Sequence, residues 1–584
     1  MGAFYIQTGN NTISKEVTDH FRELGFREPE YLKKQDTIAC FYPKQSFPTI
    51  NKLENEEWSL YVSGTCFYRG KKYWDGLNAV LKDITKGAFN PSLLIGSYFL
   101  LFQRKDGKIY FYSDPAAVQN IIYHEPTGII SSSFLACIKG AAEAAGKLVL
   151  NSTAITEVLA TGNLIGPETL IKDIYRYEPA LEKDLPGIER LSTDVITSAK
   201  TTNGSFEKQV DFQLDVLEQY FQDLTPVMDE LGVMTGLTGG FDSRLIYLML
   251  RKKTGNYKLY STSRENPTIE FQCAMQLAKH YNQSILSPPH KKFDKLNTVE
   301  FLKRLDDNFL FNDGQVRVHQ LWTEEIKSKS YSNVIHHNHK IGISGVGGEQ
   351  YRNGEYLIKS TYSLSHWFFY ENIFRYCGNP FRSKKARHLF QHHIEKKIKL
   401  LLGMGAHEKR ISRFHIKRYY NEVYNPANRV LRNNIENQLY FFLSPFAEYR
   451  VSQKAYAAFP FLGSHHRFQK EMIKGLAPEA AHISLDYGYK VSDKVPFRFR
   501  MVSRLKALLG LKLYFRLYSL RKKKGQLLAK MIATHPDLKV YIAEVESLNL
   551  PLDLEQLKSS DHLSPLLIET GLFLRKLKRY IKHD

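Results

Sequence analysis

Apolar residues in the first third of the chain come in short runs closed by turn residues: TIACFY (37–42), WSLYVSG (58–64), SYFLLFQR (97–104) and KIYFYS (108–113). The last two are joined by Lys105-Asp106-Gly107, a turn sequence that folds one strand back on the next. This spacing predicts an antiparallel, sheet-dominated α+β domain over residues 1–190, with a few helices such as Ser152–Thr161 capped by Ser152. Composition turns polar between Pro186 and Thr201, as at a linker. From about Ser205 the period changes. A helical stretch, QVDFQLDVLEQYFQDL, leads to a strand and a turn at Met234–Ser243. A helix follows from Arg244, then a strand over Tyr257–Thr262, a helix over Thr268–Tyr281 and a third strand at Lys340–Ser344. Strands alternating with helices predict an α/β, doubly wound parallel sheet over residues 205–500. Beyond about Tyr356 the pattern is mostly helical, ending in a basic helical extension over 501–584.

The 584 residues allow roughly three or four domains of about 150 each, or two larger ones. With 43% hydrophobic and 13% aromatic residues, these domains can bury substantial cores. The net charge of +21 points to an anionic partner (nucleotide, nucleic acid, acidic glycan or anionic membrane surface) or to a solvated basic surface. Five scattered cysteines without CxxC spacing argue against a disulfide framework or zinc site and predict a reducing cytosol. The start, MGAFYIQTGN, has no basic-then-apolar leader, and Ile6 breaks the myristoylation pattern. No apolar run approaches the roughly 18 to 20 residues of a membrane span. The expectation is a cytoplasmic protein, peripheral at most to the inner face of the membrane.

The stretch MTGLTGGFDSRLIYLML (234–250) narrows the chemistry. In an open parallel sheet, the turn after a strand faces the ligand space beyond the strand ends. Free N–H groups and the positive end of the next helix dipole face it too, which makes an anion site. Gly239 and Gly240 let backbone approach a phosphate, and Thr238 and Ser243 add hydroxyls. Asp242 repels bare phosphate, so it fits a divalent cation bridging phosphates. The alternative is an ordinary strand–helix turn with an Asp N-cap. A second strand-to-glycine turn, KIGISGVGGEQYRNGEY (340–356), supplies Glu349 and would place two carboxylates on one pocket.

Thr238-Gly239-Gly240-Phe241-Asp242-Ser243 resembles the S-G-G-x-D-S loop of the asparagine-synthetase branch of ATP pyrophosphatases. Ser344-Gly345-Val346-Gly347-Gly348-Glu349-Gln350, with Gly354 and Tyr356, resembles that branch's second signature, S-G-E-G-A/G-D-E. Glu270, Ala274 and Ala278 match the helix between them. IGSYFLLFQRKDGKIYFYSDPAAVQNIIYH (95–124) resembles the family's glutaminase-type domain, with Gly96, Asp114, Pro115 and Tyr123 in place. The resemblance spans residues 1 to about 490. It implies an N-terminal Ntn-hydrolase-like sandwich before an adenine-nucleotide-α-hydrolase-like domain. It also implies ATP bound at Leu237, Thr238, Gly239, Gly240, Phe241, Asp242, Ser243, Thr262, Gly345 and Gly347, with Mg²⁺ on Asp242 and Glu349. In the implied reaction a carboxylate is adenylated with release of pyrophosphate, and an amine then displaces AMP.

The departures change what the chain is expected to do. Family members that hydrolyse glutamine carry Cys at position 2; here it is Gly2, and Ser63 and Thr65 replace glutamine-contacting side chains around Gly64. Without a thiolate there is no glutamyl intermediate, so glutaminase activity is expected to be lost. Val346 replaces a signature glutamate. Asp486 stands where the family has a lysine assisting amide formation; either Lys490 substitutes from a shifted loop, joining Asp242 and Ser243 in the catalytic set, or the acceptor chemistry differs. VIHHNHK (334–340) is weak as a metal motif, because only His337 and His339 would share a strand face. FRFRMVSRLKALLGLKLYFRLYSLRKKKG (497–525) carries no acid and reads as a basic amphipathic helix for an anionic membrane, interrupted at Gly510, or as a docked helix with outward cations. No RNA module accompanies it, so no specific nucleic-acid partner is expected. The expected function is an ATP-dependent amide ligase using ammonia or an amine donor on a carboxylate substrate, such as a uronic-acid sugar or glycan precursor. The alternatives are an ammonia-dependent asparagine synthetase, a non-catalytic nucleotide-binding homologue and a lactam-forming cyclase.

Overall fold

The computed structural model describes residues 2–582 except 11, 35, 48, 50, 193–203, 262–267, 288–295, 317–338, 354–358, 429–430 and 522–524. Two sheets pack face to face in the N-terminal half. The first runs, in spatial order, Ile174–Arg176, Ile122–His124, Ile129–Ser131, Ala3–Thr8, Thr37–Tyr42, Glu30–Lys34, all antiparallel. The second runs Glu189–Arg190, Ile109–Ser113, Tyr98–Arg104, Trp58–Gly64, Lys52–Glu54, antiparallel but for its first pair. Phe4, Ile6 and Phe41 meet Tyr61, Phe99 and Phe111 between the sheets, with Phe4 and Phe99 stacked at 4.3 Å.

Helices cover the outer faces. Lys15–Glu23 and Phe134–Ala145 lie on the first sheet, burying Val17, Phe21 and Ile138 against Tyr5, Cys40 and Tyr42. Tyr73–Thr85 lies on the second, with Leu77 and Val80 against Leu60 and Leu100. A sheet buried on both sides needs apolar residues on both, which is why TIACFY shows no clean alternation. The predicted Ser152–Thr161 helix is present with those bounds, but Asn151 caps it, accepting from the Ala154 N–H at 3.1 Å. Serine would serve equally well as a cap, so composition alone could not choose between the neighbours.

The second half holds a five-stranded, all-parallel sheet ordered Ile285–Leu286, Tyr257–Tyr260, Val233–Gly236, Ile341–Ile343, Phe441–Leu443. The Phe206–Leu231 and Phe241–Lys253 helices share its core. The mixed α/β character and the parallel sheet therefore match the sequence expectation. The last residues are built into the first half: Ser564–Leu577 is buried nearly all round, stacks Phe573 on Phe134, and leads to Ile581–Lys582, which pairs with Leu148–Val149. Among the described residues, no helix is long and apolar enough to cross a membrane.

One carboxylate fastens the halves together. Asp313, after the Thr298–Phe311 helix, accepts from Ser133 Oγ at 2.6 Å and from the Phe134 and Leu135 N–H groups at 2.5 and 3.1 Å. It thus neutralises the start of a buried helix from another part of the chain. Asp313→Ala should lower stability by about 2–4 kcal/mol, through the lost cap and the orphaned amides. Denaturant titration against Asp313→Asn, which keeps an acceptor, would check this.

Candidate functional site

Val233–Gly236 is the central strand of the parallel sheet, and Ile341–Ile343 is its neighbour, with Thr235 opposite Ile343. The turns that follow these strands therefore leave the same edge side by side. The first is closed by hydroxyls: Ser243 Oγ accepts from the Thr238 N–H at 3.1 Å and lies 2.9 Å from Thr238 Oγ1. Its helix begins at Phe241, earlier than the Arg244 expected, because Gly240 is the N-cap and offers no side chain to the first turn. Asp242 is inside that turn and is not the cap. The first turn thus receives no side-chain cap from Gly240, and its positive end faces the space beyond the strand, as an anion site requires.

The second turn presses on the first. A Cβ on Gly345 would meet Asp242 C and Ser243 N at 2.9 Å each, and one on Gly348 would collide with the Asp242 carboxylate. Gly347 has φ of 96°, a left-handed conformation that favours glycine. On the other flank, a Cβ on Gly239 would meet Asp486 Cβ at 2.8 Å and Cys273 Cβ at 3.1 Å. Leu237 and Phe241 bury their side chains in the core, so only their backbone can serve a ligand. Phe241 stacks on His466 at 4.7 Å. Thr262, with Gly354, Tyr356, His336 and His337, lies outside the described residues.

Two groups absent from the sequence expectation hold this arrangement. Gln469, fully buried on the Arg467–Leu476 helix, donates through Nε2 to Asp242 Oδ1 at 2.5 Å and to the Gly348 carbonyl at 3.1 Å. One amide thus braces both turns. Lys417 donates through Nζ to the Glu349 carbonyl at 2.6 Å and the Arg352 carbonyl at 2.9 Å. Burial, then the Arg352 charge, pushes its ammonium down to about 7, against the opposing pull of Asp242. Neither has a local signature, since each acts on residues far away in sequence. Arg244, also buried, donates to the carbonyls of Ala480, Ile483 and Ser484 and so pins the segment that carries Asp486. Burial first, then Glu270, raises the Asp486 carboxyl above its ordinary range.

A cavity of about 340 Å³ opens beside the second turn. Glu349 lines it; Asp242 does not, so the two predicted metal carboxylates face the cavity unequally. Arg352, Arg375, Arg413 and Lys417 also line it, against Glu349 and Glu371, along with Tyr376, Tyr420 and Tyr424. Part of the wall comes from two π-helical turns, Tyr370–Phe374 and Tyr419–Tyr424, a geometry common at functional sites. The excess of cations and the many hydroxyl and amide groups suit an anionic, hydrogen-bonding ligand. Lys490 is not brought to this wall. It sits exposed on the turn after Asp486, its backbone N–H on Asp493 Oδ2 at 2.8 Å.

The glycine cradle and uncapped helix start fit a nucleotide's phosphates, and Asp242 with Glu349 offers oxygen ligands of the kind magnesium takes. Elsewhere among the described residues, Glu157, Glu168 and His393 approach metal-ligand spacing. Lys397 Nζ, however, lies 2.8 Å from both glutamates, so this cluster is already neutralised by an ammonium.

The surroundings of Gly2, where the resemblance would place a nucleophile, are closely packed. A Cβ on Gly2 would meet Phe26 Cε1 at 2.5 Å and the Pro43 carbonyl oxygen at 2.7 Å. Thr65 Oγ1 is 2.5 Å from Asn437 Oδ1 and accepts from the Phe442 N–H at 2.9 Å, while Asn437 donates to Ser97 Oγ at 2.9 Å. Lys44 Nζ, buried, donates to the Asn437 carbonyl at 2.6 Å. Asn437 of the second half thus ties Thr65 to Ser97, while a Cβ on Gly64 itself would meet the Ser97 carbonyl oxygen and Gln119 Oε1 of the first half.

No protein-family model and no curated protein sequence matches the chain. Among solved structures it is similar to the U34-tRNA thiolase NcsA from Methanococcus maripaludis with its 4Fe-4S cluster. That match has 11% identity, covers 58% of this chain and 92% of that one, and has a TM-score of 0.19. A superposition that loose assigns nothing to individual residues.

Proposed function

We propose that the chain is an ATP-dependent amide ligase of the asparagine-synthetase-like kind, with an Ntn-like N-terminal half that no longer hydrolyses glutamine. The observation that carries this reading is the backbone-to-backbone seating of two glycine turns at one edge of a parallel sheet, with Asp242 between them. The Thr238 and Gly240 amides are engaged within the turn, so the backbone of Gly239 and of the Phe241–Ser243 helix start would hold the β- and γ-phosphates. Asp242 and Glu349 would hold magnesium, which offsets charge on the departing pyrophosphate. An oxygen of the substrate carboxylate attacks the α-phosphorus as its bond to the bridging oxygen breaks and pyrophosphate leaves. An amine nitrogen then attacks the acyl carbon, AMP leaves, and the nitrogen gives up a proton.

The cationic cavity beside Glu349 supports an acidic, hydroxyl-rich acceptor such as a uronic-acid sugar or glycan precursor. The closure around Gly2 supports free ammonia, or an amine on a substrate, as the nitrogen source. A second reading, a nucleotide-binding homologue without catalysis, is favoured by Asp486 seated on Gly239 where the resemblance has a lysine.

Carboxylate-dependent exchange of labelled pyrophosphate into ATP tests both, with aspartate and uronic acids offered in parallel. Uronate-dependent exchange is expected. Aspartate-dependent exchange would instead indicate asparagine synthesis, and silence with both beside measurable ATP binding would leave the binding reading. Asp242→Asn should abolish any exchange observed, by at least about 100-fold.

A further inference from the structure

Residues 497–525 carry ten Lys and Arg and no acid. The Phe497–Arg521 helix they form breaks at Gly510, whose φ of 67° and ψ of 164° are not helical. Before the break, Phe497, Met501, Val502, Leu505, Leu508 and Leu509 are exposed, Phe497 at 66% and Leu508 at 80%. At 100° per residue these six fall within an arc of about 140°, with exposed Arg500 and Arg504 along one border and exposed Arg498 inside it. After the break, Leu513 and Leu517 are exposed beside Lys512 and Arg516. The opposite side is anchored: Phe499 contacts Tyr489 at 6.1 Å between ring centres, and Phe515 is buried. The helix is therefore docked on the protein by one side and offers the other to solvent.

We infer that this outward face seats the protein on an anionic lipid surface. Exposed leucines at this density are costly in water, and a headgroup–acyl boundary takes up both the apolar arc and the flanking cations. Juxtaposed cations gain about 1 kcal/mol each near an anionic leaflet. A second copy pairing through the same face would bring like charges together, because a two-fold interface presents identical patches. Single-stranded nucleic acid would meet aliphatic side chains where stacking aromatics are needed. The helix also packs against the Tyr370–Phe374 and Arg375–Cys377 segments, which supply Glu371, Asn372, Arg375 and Tyr376 to the cavity wall. Seating the helix holds that wall close to the headgroup layer. The inference is independent of the proposed ligase reaction.

The test is flotation of the full chain with vesicles of phosphatidylglycerol mixed with phosphatidylcholine, against pure phosphatidylcholine vesicles, at physiological salt. Recovery with the anionic vesicles is expected, with at least about tenfold less on the neutral ones. Leu505→Glu combined with Leu508→Glu, both at exposed positions, should abolish flotation, and Arg500→Glu with Arg504→Glu should reduce it at least about tenfold. Absence of flotation, equal recovery on neutral vesicles, or insensitivity to both variant pairs would overturn the inference. So would dimerisation by light scattering that the leucine variants abolish without any vesicle binding, or RNA binding with no flotation.

Discussion

Gly345→Ala is expected to reduce pyrophosphate exchange at least about 100-fold while leaving the fold intact. The new methyl would sit 2.9 Å from Asp242 C and from Ser243 N, both backbone atoms that cannot swing aside as a side-chain tip can. The two turns must separate, and the separation falls on the carboxylate and amides assigned to the phosphates. Displacements near 1 Å at such positions cost about two orders of magnitude in rate. Because the clash is local to turns at the sheet edge, circular dichroism and the denaturation midpoint should stay close to those of the parent. Gly488→Ala is a useful control, since nothing lies within 4 Å of its added Cβ although its φ of 77° carries strain. Exchange retained in full by Gly345→Ala would refute the role given to the paired turns.

The second large effect concerns Glu448, a buried carboxyl that joins the halves. It accepts from Tyr220 Oη at 2.8 Å and from the Gly96 N–H at 2.8 Å. Burial pushes its pKa up to about 7, against the lowering by those two donors. Between the ordinary glutamate range and pH 7 the folded chain therefore holds a proton that the unfolded chain has released. Stability must fall as pH rises through that window, by an amount on the order of 3 kcal/mol for this group, and level off above it. Asp114, raised to about 6 by burial, adds a slope of the same sign. Glu448→Gln keeps an acceptor for Gly96 and cannot ionise, so its midpoint should exceed the parent's at pH 8 and converge with it at pH 5. Calorimetric scans at the two pH values decide this; parallel shifts at both would show that Glu448 is not the titrating group.

Much of the architecture was legible because it rests on local periodicity. TIACFY and WSLYVSG form strands with the bounds read from the sequence, and the alternation after Ser205 does build a parallel sheet. The pairing of the glycine turns was legible for the same reason, since each follows an apolar run that has to be a strand. What escaped was contact between distant segments. Gln469 reaches Asp242 across 227 positions, and nothing around it distinguishes it from a surface glutamine. Lys417, flanked by other cations in RFHIKR, looks solvated, yet tertiary packing buries its amine against two carbonyls. Lys490 lies close to Asp486 in sequence, but a turn carries it outward into solvent. The helix start at Phe241 was missed because glycine caps leave no side-chain signature.

The position of Phe441–Leu443 has a bearing on how this protein can be handled and divided. It is one of the two edge strands of the parallel sheet, the kind of edge on which other chains pair and aggregate. Here the Phe442 N–H donates to Thr65 Oγ1 of the other half as well as to Asn437 Oδ1 of its own, and the Phe441 ring packs against Phe47, Phe67 and Tyr73. The N-terminal half is thus a permanent guard on an otherwise adhesive border, whatever chemistry it has or lacks. A fragment starting near residue 205 would carry every residue assigned to the phosphates and still be expected to precipitate, through strand pairing between copies.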